Sequence, residues 1–380
     1  MDLVRPTVAI INLDNLMHNY RTIKQHIDET KLLCVIKADA YGHGIIEYAK
    51  VLSKLGVDYF GVAIVEEGIE LRKAGIWEPI LILGDVMVEQ IDLFFQYNLQ
   101  FTIASDIQLL RIDKRAGELG MTARAHLNID TGMGRIGVNH SRVHKYIDAV
   151  KKCKNTIIEG VYSHFARSTD SEEYTKLQFE RFQTAVNKIK NAGLNVGLRH
   201  ISNSAAALSF PEMKLDMVRV GIMLHGAFPS EDKTHRLPLK PVMTLKTKVV
   251  YFKTMNPGEF VSYGSTWEPK EKGIRVITLP VGYADGYGRR MEGNTFVLIR
   301  GNRYPVIGKV CMDQCMVSLG TNGEAYPGDE VVLMGKQGDQ EITAEELSKQ
   351  MGTVEYELFI KITKRVPRVY TDGNVKKINY

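Results

Sequence analysis

From residue 31 to about residue 230 the chain alternates two hydrophobic patterns. Short apolar, β-branched runs read as strands: KLLCVIKA (31–38), DYFGVAI (58–64), PILILG (79–84), LQFTIAS (99–105), ARAHLNID (123–130), TIIEGVYSH (156–164), LRHISN (198–203) and LDMVRVGI (215–222). Between them lie segments of helical period, such as IIEYAKVLSKLG, VEEGIELRKAG, VEQIDLFFQYN and SEEYTKLQFERFQTAVNKIKNAG. Several of these end on glycine, as helix stops do. Eight strand–helix units predict parallel strands joined by crossover helices, and eight is the number that closes a TIM-type (β/α)8 barrel. An open doubly wound sheet is the alternative built from the same elements.

After about residue 236 the pattern changes. PVMTLKTKVVYF, EFVSYGSTW, IRVITLPVGYADGYG, TFVLIRGNRYPVIGKVCM, CMVSLG and DEVVLMG are closely spaced β-runs broken by Gly, Pro and Asn, and only AEELSKQMG and VEYELFIKITKRV read as helix. The expectation is an α/β barrel over residues 1–236 and a mainly β C-terminal domain over 237–380. The opening strand at about 5–13 is free to pack with the second of these. No internal repeat or low-complexity tract interrupts either part.

Composition narrows the function. With 380 residues, 44% hydrophobic and 24% charged, the chain reads as an ordinary globular protein with room for two units. Its net charge of +5 is spread out, with no run of five like charges, so no pattern points to nucleic acid or an anionic membrane. No window has the length of a membrane span, and the amino terminus lacks a basic segment leading into a long apolar stretch. Four cysteines, Cys34, Cys153, Cys311 and Cys315, are too scattered for a disulfide framework, and CMDQC lacks further ligands for a zinc site. No metal is expected, and the expected compartment is a reducing cytoplasm.

In a barrel, chemistry gathers at the carboxyl ends of the strands. Those ends carry Lys37, Asp130, His164, Asn203 with Ser204, and Arg219 with Gly221. Asp, Asn and Ser are also ordinary loop caps, and Lys37 alone reads equally as the first solvated residue of a loop. The convergence of Lys37, His164, His200 and Arg219 on one mouth favours a site. A desolvated lysine can anchor a carbonyl compound covalently. Gly221, just after the eighth strand, sits where barrels bind phosphate on backbone N–H groups, with Ser204 and Tyr41 as further donors. No nucleotide-binding glycine motif is present. An amine, a phosphate cradle and an arginine together suit pyridoxal phosphate.

The residues also match a known family. VIKADAYGHG, HLNIDTGMGRIG, YSHFARSTD, RHISNSAA, VRVGIMLHG, VSYGSTW, LPVGYADGY, GKVCMDQCMV and GTVEYELFIKITKRVPRVY follow one another in an order that resembles the alanine racemases over essentially the whole chain. The resemblance implies a pyridoxal-phosphate isomerase that interconverts L- and D-alanine and supplies D-alanine for peptidoglycan. Lys37 would carry the cofactor and act as one base, and Tyr263 would be the second, reaching the site from the other subunit of a homodimer with shared active sites. Arg219 would face the pyridine nitrogen, with His164 and His200 behind it. Tyr41, Ser204, Gly221, Ile222 and Tyr356 would hold the phosphate, with Asn203 beside them. Arg135 and the backbone of Met312 would hold the substrate carboxylate, and Tyr283, with Asp313 next to it, would stand at the entrance.

Two bases are needed because the α-proton leaves one face and returns on the other. An arginine at the pyridine nitrogen keeps that nitrogen unprotonated and weakens the ring as an electron sink, which disfavours side reactions. Three positions depart from the family pattern: Asn128 replaces a lysine that many members carbamylate to position Arg135, Val220 replaces a proline, and His225 a tyrosine. An amide cannot be carbamylated, so a small anion such as chloride is the expected substitute. Rival readings are a racemase of serine or another small amino acid, a barrel-type decarboxylase, which would want an acid where Arg219 stands, and a non-enzymatic cofactor carrier, which would not need Tyr263.

Overall fold

The computed structural model describes residues 5–230 and 234–372. The first strand, β1 (Val8–Asn12), leads into α1 (Leu13–Ile27), whose N-cap Asn12 accepts the Asn15 N–H at 3.0 Å. Next come β2 (Lys31–Val35), α2 (Lys37–Gly42), α3 (Ile45–Lys54), β3 (Tyr59–Val62), α4 (Val65–Lys73), β4 (Ile80–Ile82), α5 (Ile91–Gln96), β5 (Phe101–Ile103) and α6 (Asp106–Leu119). They are followed by β6 (Ala123–Asp130), the two-residue β7 (Val138–Asn139), α7 (His144–Val150), β8 (Thr156–Tyr162), α8 (Glu172–Asn191), β9 (Leu198–His200), α9 (Ser204–Ser209) and β10 (Met217–Val220).

Parallel pairing runs β10–β2–β3–β4 and β5–β6–β8–β9, and two links close the ring. A parallel bridge joins Leu81 to Gln100, and the Asp216 N–H donates to the Arg199 carbonyl at 3.1 Å. A closed barrel follows, and the open-sheet alternative falls. The two-residue strand period sorts the side chains. Leu32 and Cys34 pack outward on the helices, whereas Leu33 joins Tyr59, Leu81 and Met217 in a separate buried cluster with Val35 and Tyr41.

The second part comprises β11 (Met243–Lys248), β12 (Tyr251–Met255), β13 (Ile274–Leu279), β14 (Phe296–Ile299), β15 (Asn302–Ile307), β16 (Cys315–Gly320), β17 (Glu330–Gln337), β18 (Gln340–Ile342), α10 (Ala344–Met351), α11 (Glu355–Lys361) and β19 (Arg368–Thr371). Its strands order as β12–β13–β16–β15–β14–β17–β11–β1–β19, with β18 beside β17. β1 therefore lies in this sheet, between β11 and β19, while the helix that follows it packs on the barrel against Ile222–His225. The run EFVSYGSTW is not a strand. Val261 and Trp267 form a single bridge, and Ser262 and Ser265 take positive φ, which folds Tyr263–Ser265 into a tight turn.

Arg5 fastens the start of the chain to this sheet. Its guanidinium forks onto both oxygens of the buried Asp285 at 2.6 Å each and donates to the Pro280 carbonyl at 3.0 Å. Asp285 also accepts the Gly282 N–H at 3.0 Å. Breaking such a pair leaves a buried charge uncompensated. Asp285→Asn is expected to lower unfolding free energy by about 3 kcal/mol, read as a lower urea midpoint with unchanged far-ultraviolet circular dichroism of the folded state.

Candidate active site

Lys37 follows Leu33 and Val35 at the same two-residue spacing, so the face that fills the barrel ends on an amine at its mouth. The backbone then does something unusual. Ala38, Asp39, Ala40 and Tyr41 all lie in the left-handed region, with φ of 51–56°. Each such non-glycine residue costs roughly 1–2 kcal/mol, so the turn persists only because its surroundings over-determine it. Glu67 accepts the N–H of Ala38 at 2.5 Å and of Ala63 at 2.8 Å, and Asp39 accepts that of Ile45 at 2.8 Å. From the β domain, Arg368 Nε donates to the Gly42 carbonyl at 2.9 Å. A Cβ on Gly42 would press 2.6 Å from the Phe359 carbonyl, and one on Gly44 would overlap the Tyr370 hydroxyl.

The turn borders a cavity of about 420 Å³. Ten of the residues singled out in the sequence line it: Lys37, Tyr41, Arg135, His164, Asn203, Ser204, Arg219, Gly221, Ile222 and Tyr356. Burial, then the Arg135 guanidinium, pulls the Lys37 ammonium below the ordinary lysine range, against Glu67, which favours the charge. Arg135 itself makes no ion pair or hydrogen bond among the described residues and presents its charge to the cavity.

At the opposite wall Arg219 is buried, with both terminal nitrogens of its guanidinium hydrogen-bonded. Nη2 donates to the carbonyls of Ser163 (2.6 Å) and Ile201 (3.1 Å) and to His164 Nδ1 (3.2 Å), and Nη1 donates to His200 Nδ1 (2.9 Å). Burial brings it down to about 10, so at neutral pH it remains the cation and the donor. His164 is pushed down to about 3 by burial and then by Arg219, and His200 falls well below the ordinary range for the same two reasons. Both rings are neutral acceptors toward the arginine.

Near Gly221 the wall is built for close approach. A Cβ there would overlap the Tyr41 hydroxyl, and the Gly221 N–H donates to Ser204 Oγ at 3.2 Å. Asn203 caps α9 by accepting the Ala206 N–H at 3.0 Å, and the Tyr41 and Tyr356 rings meet at 5.8 Å. Two tyrosyl hydroxyls, a serine, a cleared backbone and an amine whose charged form is disfavoured fit pyridoxal phosphate. A bare glycine backbone suits a phosphate, and an amine of lowered basicity suits an aldehyde.

Four singled-out residues lie elsewhere. Tyr263, Tyr283, Met312 and Asp313 sit on the β domain, where three segments are tied together. Ser262 Oγ donates to the Lys309 carbonyl at 2.5 Å, the Tyr283 N–H to the Cys311 carbonyl at 3.1 Å, and the Ala284 N–H to the Met312 carbonyl at 3.0 Å. The side chains face outward, with Tyr263 71%, Met312 53% and Tyr283 40% exposed. Asp313 pairs with Arg365 at 2.7 Å. Asp130, also at a strand end, only shapes its loop by accepting the Gly132 and Gly134 N–H groups at 2.9 and 3.0 Å.

Sequence reasoning missed Tyr162. Its ring stacks on His200 at 4.9 Å and lies 5.2 Å from the Arg219 guanidinium carbon, while its hydroxyl pairs with Thr102 Oγ1 at 2.9 Å. The available signal was its place at the end of β8, two residues before His164. Asn128 is buried and also hydrogen-bonded to Tyr162.

The described fold agrees with known proteins. Residues 11–229 match the family model for the alanine racemase N-terminal domain, and residues 242–370 that for the C-terminal domain. An alanine racemase of Carboxydothermus hydrogenoformans is 45% identical over 97% of this chain and 100% of its own, and alanine racemase 1 of Clostridium acetobutylicum is 42% identical over 99% of each. Among solved structures, an alanine racemase of Clostridium difficile superposes with a TM-score of 0.92 at 40% identity, covering 98% of this chain and 97% of that one. The Bacillus anthracis alanine racemase with bound L-Ala-P gives 0.91 at 33%, covering 100% and 99%.

Burial depresses five histidines most strongly, His43, His126, His164, His200 and His225, well below the ordinary range. Below about pH 6.5 the unfolded chain therefore binds protons that the folded chain refuses. Stability is complete above that pH and falls as pH drops toward about 3, by about 1.4 kcal/mol per pH unit for each such ring. Urea midpoints measured from pH 7 to 5 are expected to fall steeply, and His43→Gln should flatten the slope by close to one proton.

Proposed function

Because the chain belongs to the alanine racemase family, we propose that Lys37 and the Tyr263 of a second copy of the chain are the two bases of its reaction. The protein is an alanine racemase, an isomerase that interconverts L- and D-alanine with pyridoxal phosphate as cofactor and so supplies D-alanine for peptidoglycan. The observation that carries the assignment of residues is the convergence of Lys37, Arg219, Gly221 and Arg135 on one cavity. We assign residues 1–236 to the barrel, apart from β1, which joins the sheet of the 237–380 β domain. The cytoplasm is the proposed compartment, and no described helix is long and apolar enough to cross a membrane.

When bound, the cofactor delocalises the electron pair left on the α-carbon as its proton departs. The chain's own groups do the rest. Lys37 Nζ, with its charged form disfavoured, holds or takes the proton on one face. Tyr263 Oη serves the other face. Arg135 receives the substrate carboxylate on its fork, together with the Met312 backbone. Tyr41, Ser204, Ile222, Tyr356 and the cleared backbone at Gly221 hold the phosphate, with Asn203 setting the start of the α9 turn beside it. Arg219, donor at every nitrogen proton it presents to His200 and His164, leaves the pyridine nitrogen unprotonated.

A homodimer supplies the remaining parts. Tyr263, Tyr283 and Met312 form an exposed patch with apolar side chains, which is how an interface surface looks in a single copy. A two-fold pair placing each patch over the other barrel gives two equivalent sites, with Tyr283 and Asp313 at the entrance.

Reduction of the holoenzyme with borohydride is expected to fix the cofactor to one peptide containing Lys37. Label on another lysine would remove Lys37 from its role. Subunit exchange between Lys37→Ala and Tyr263→Phe tests the shared site. Random pairing makes half of the dimers mixed, each with one intact site, so about a quarter of all sites should recover. Activity that stays at the level of the separate variants, after mass spectrometry has confirmed exchange, would place both bases in one chain or dismiss Tyr263.

A further inference from the structure

Arg219 is the first member of a hydrogen-bonded chain that runs through the barrel interior to its far end. His200 Nε2 meets His126 Nδ1 at 2.9 Å, His126 Nε2 meets Gln100 Oε1 at 3.1 Å, and Gln100 Nε2 donates to Glu159 Oε2 at 2.5 Å. The other oxygen of Glu159 accepts from Arg124 Nη1. Both histidines are fully buried and Gln100 nearly so.

An obligate donor at one end and an obligate acceptor at the other leave one assignment. Arg219 can only donate, so His200 Nδ1 is an acceptor and its proton sits on Nε2. That proton fills His126 Nδ1, which puts the His126 proton on Nε2, directed at the Gln100 carbonyl oxygen. The Gln100 amide then donates to Glu159, which as a carboxylate can only accept. Every bond in the chain points the same way. Burial holds both rings neutral, as this order requires.

The backbone is shaped for it. In the pairing of β6 with β8, Ala125 lies opposite Ile158 and His126 opposite Gly160, so Glu159 is the extra residue of a bulge. Bulges re-aim side chains, commonly beside active sites. A Cβ on Gly160 would overlap His126 Nδ1.

We propose that Glu159 is a positioning residue that fixes the direction of this chain from its far end, and through Gln100, His126 and His200 keeps a bare acceptor nitrogen facing Arg219. Glu159→Gln reverses it. Arg124 would hold the new amide by its oxygen, turning its NH2 toward Gln100. Gln100 must then flip, His126 must take its proton on Nδ1, and His200 must turn an N–H against the Arg219 N–H. The inference rests on Arg219 facing the cofactor only for its effect on turnover. The ring protonation pattern stands apart from that reading.

The test is long-range ¹H–¹⁵N correlation on holoenzyme carrying ¹⁵N-histidine. His126 and His200 of the unaltered protein should both show a protonated Nε2 and a bare Nδ1, and so should Arg124→Met, which keeps the carboxylate. Glu159→Gln should move both protons to Nδ1 and lower kcat by about tenfold with little change in KM. The exchanged pair Gln100→Glu with Glu159→Gln restores an obligate acceptor next to His126, so it should recover the original ring pattern and most of kcat. A bare Nε2 on either ring in the unaltered protein would overturn the proposal even if no variant folds. An unchanged ring pattern in folded Glu159→Gln would do the same, as would failure of the exchanged pair to restore the pattern. Ring protons that move as expected while kcat stays constant would sever the link to Arg219 turnover and leave the two-base assignment untouched.

Discussion

The site is organised around a permanent positive charge with no carboxylate in contact among the described residues. Arg219 is 4% exposed, and its guanidinium is satisfied by two carbonyls, two imidazole nitrogens and the nearby face of Tyr162. A buried charge without compensation costs several kcal/mol, so these neutral acceptors are a condition of the fold rather than an ornament of the site. A carboxylate would hold the charge more firmly. In the proposed reading it would also favour a proton on the cofactor nitrogen, which Arg219 disfavours.

The second organising fact is that the β domain does two unrelated tasks with two of its edges. Phe359, Arg368 and Tyr370 hold the left-handed turn of their own chain, and Tyr356 enters the same cavity from α11. The segments bearing Tyr263, Tyr283 and Met312 face away and contribute nothing to that cavity. The domain is therefore not an appendage to a self-sufficient barrel. The barrel's own amine is set by backbone supports from the final strand.

Much of this was legible in the chain because periodicity reports burial. ARAHLNID coincides with β6, and the other barrel runs contain their strands with a few extra residues at the ends. Those extra residues, such as Lys37, His164 and Asn203, are the ones that carry chemistry, since strand ends are where apolar alternation gives way to loops. What was hidden depends on contacts between distant residues. Nothing in Ala38–Tyr41 predicts left-handed backbone, which normally asks for glycine. EFVSYGSTW has a strand's composition and folds as a turn because Ser262 and Ser265 adopt positive φ. The Glu159 bulge is invisible in a run that reads as continuous strand, and the four β-domain residues were found only through family motifs.

The clamp on that turn carries a consequence for biosynthesis. Gly42 and Arg368 are separated by 326 positions, and β19, which supplies Arg368 and Tyr370, is the last strand described. On the ribosome, the eight barrel strands are complete long before those residues leave the exit tunnel. Until they do, four left-handed residues lack the far half of their support, and the segment beginning at Lys37 is free to relax to an ordinary right-handed path. The lysine is translated more than three hundred residues before the clamp that sets it in place, so a chain released before Arg368 carries the lysine without the geometry that makes it useful.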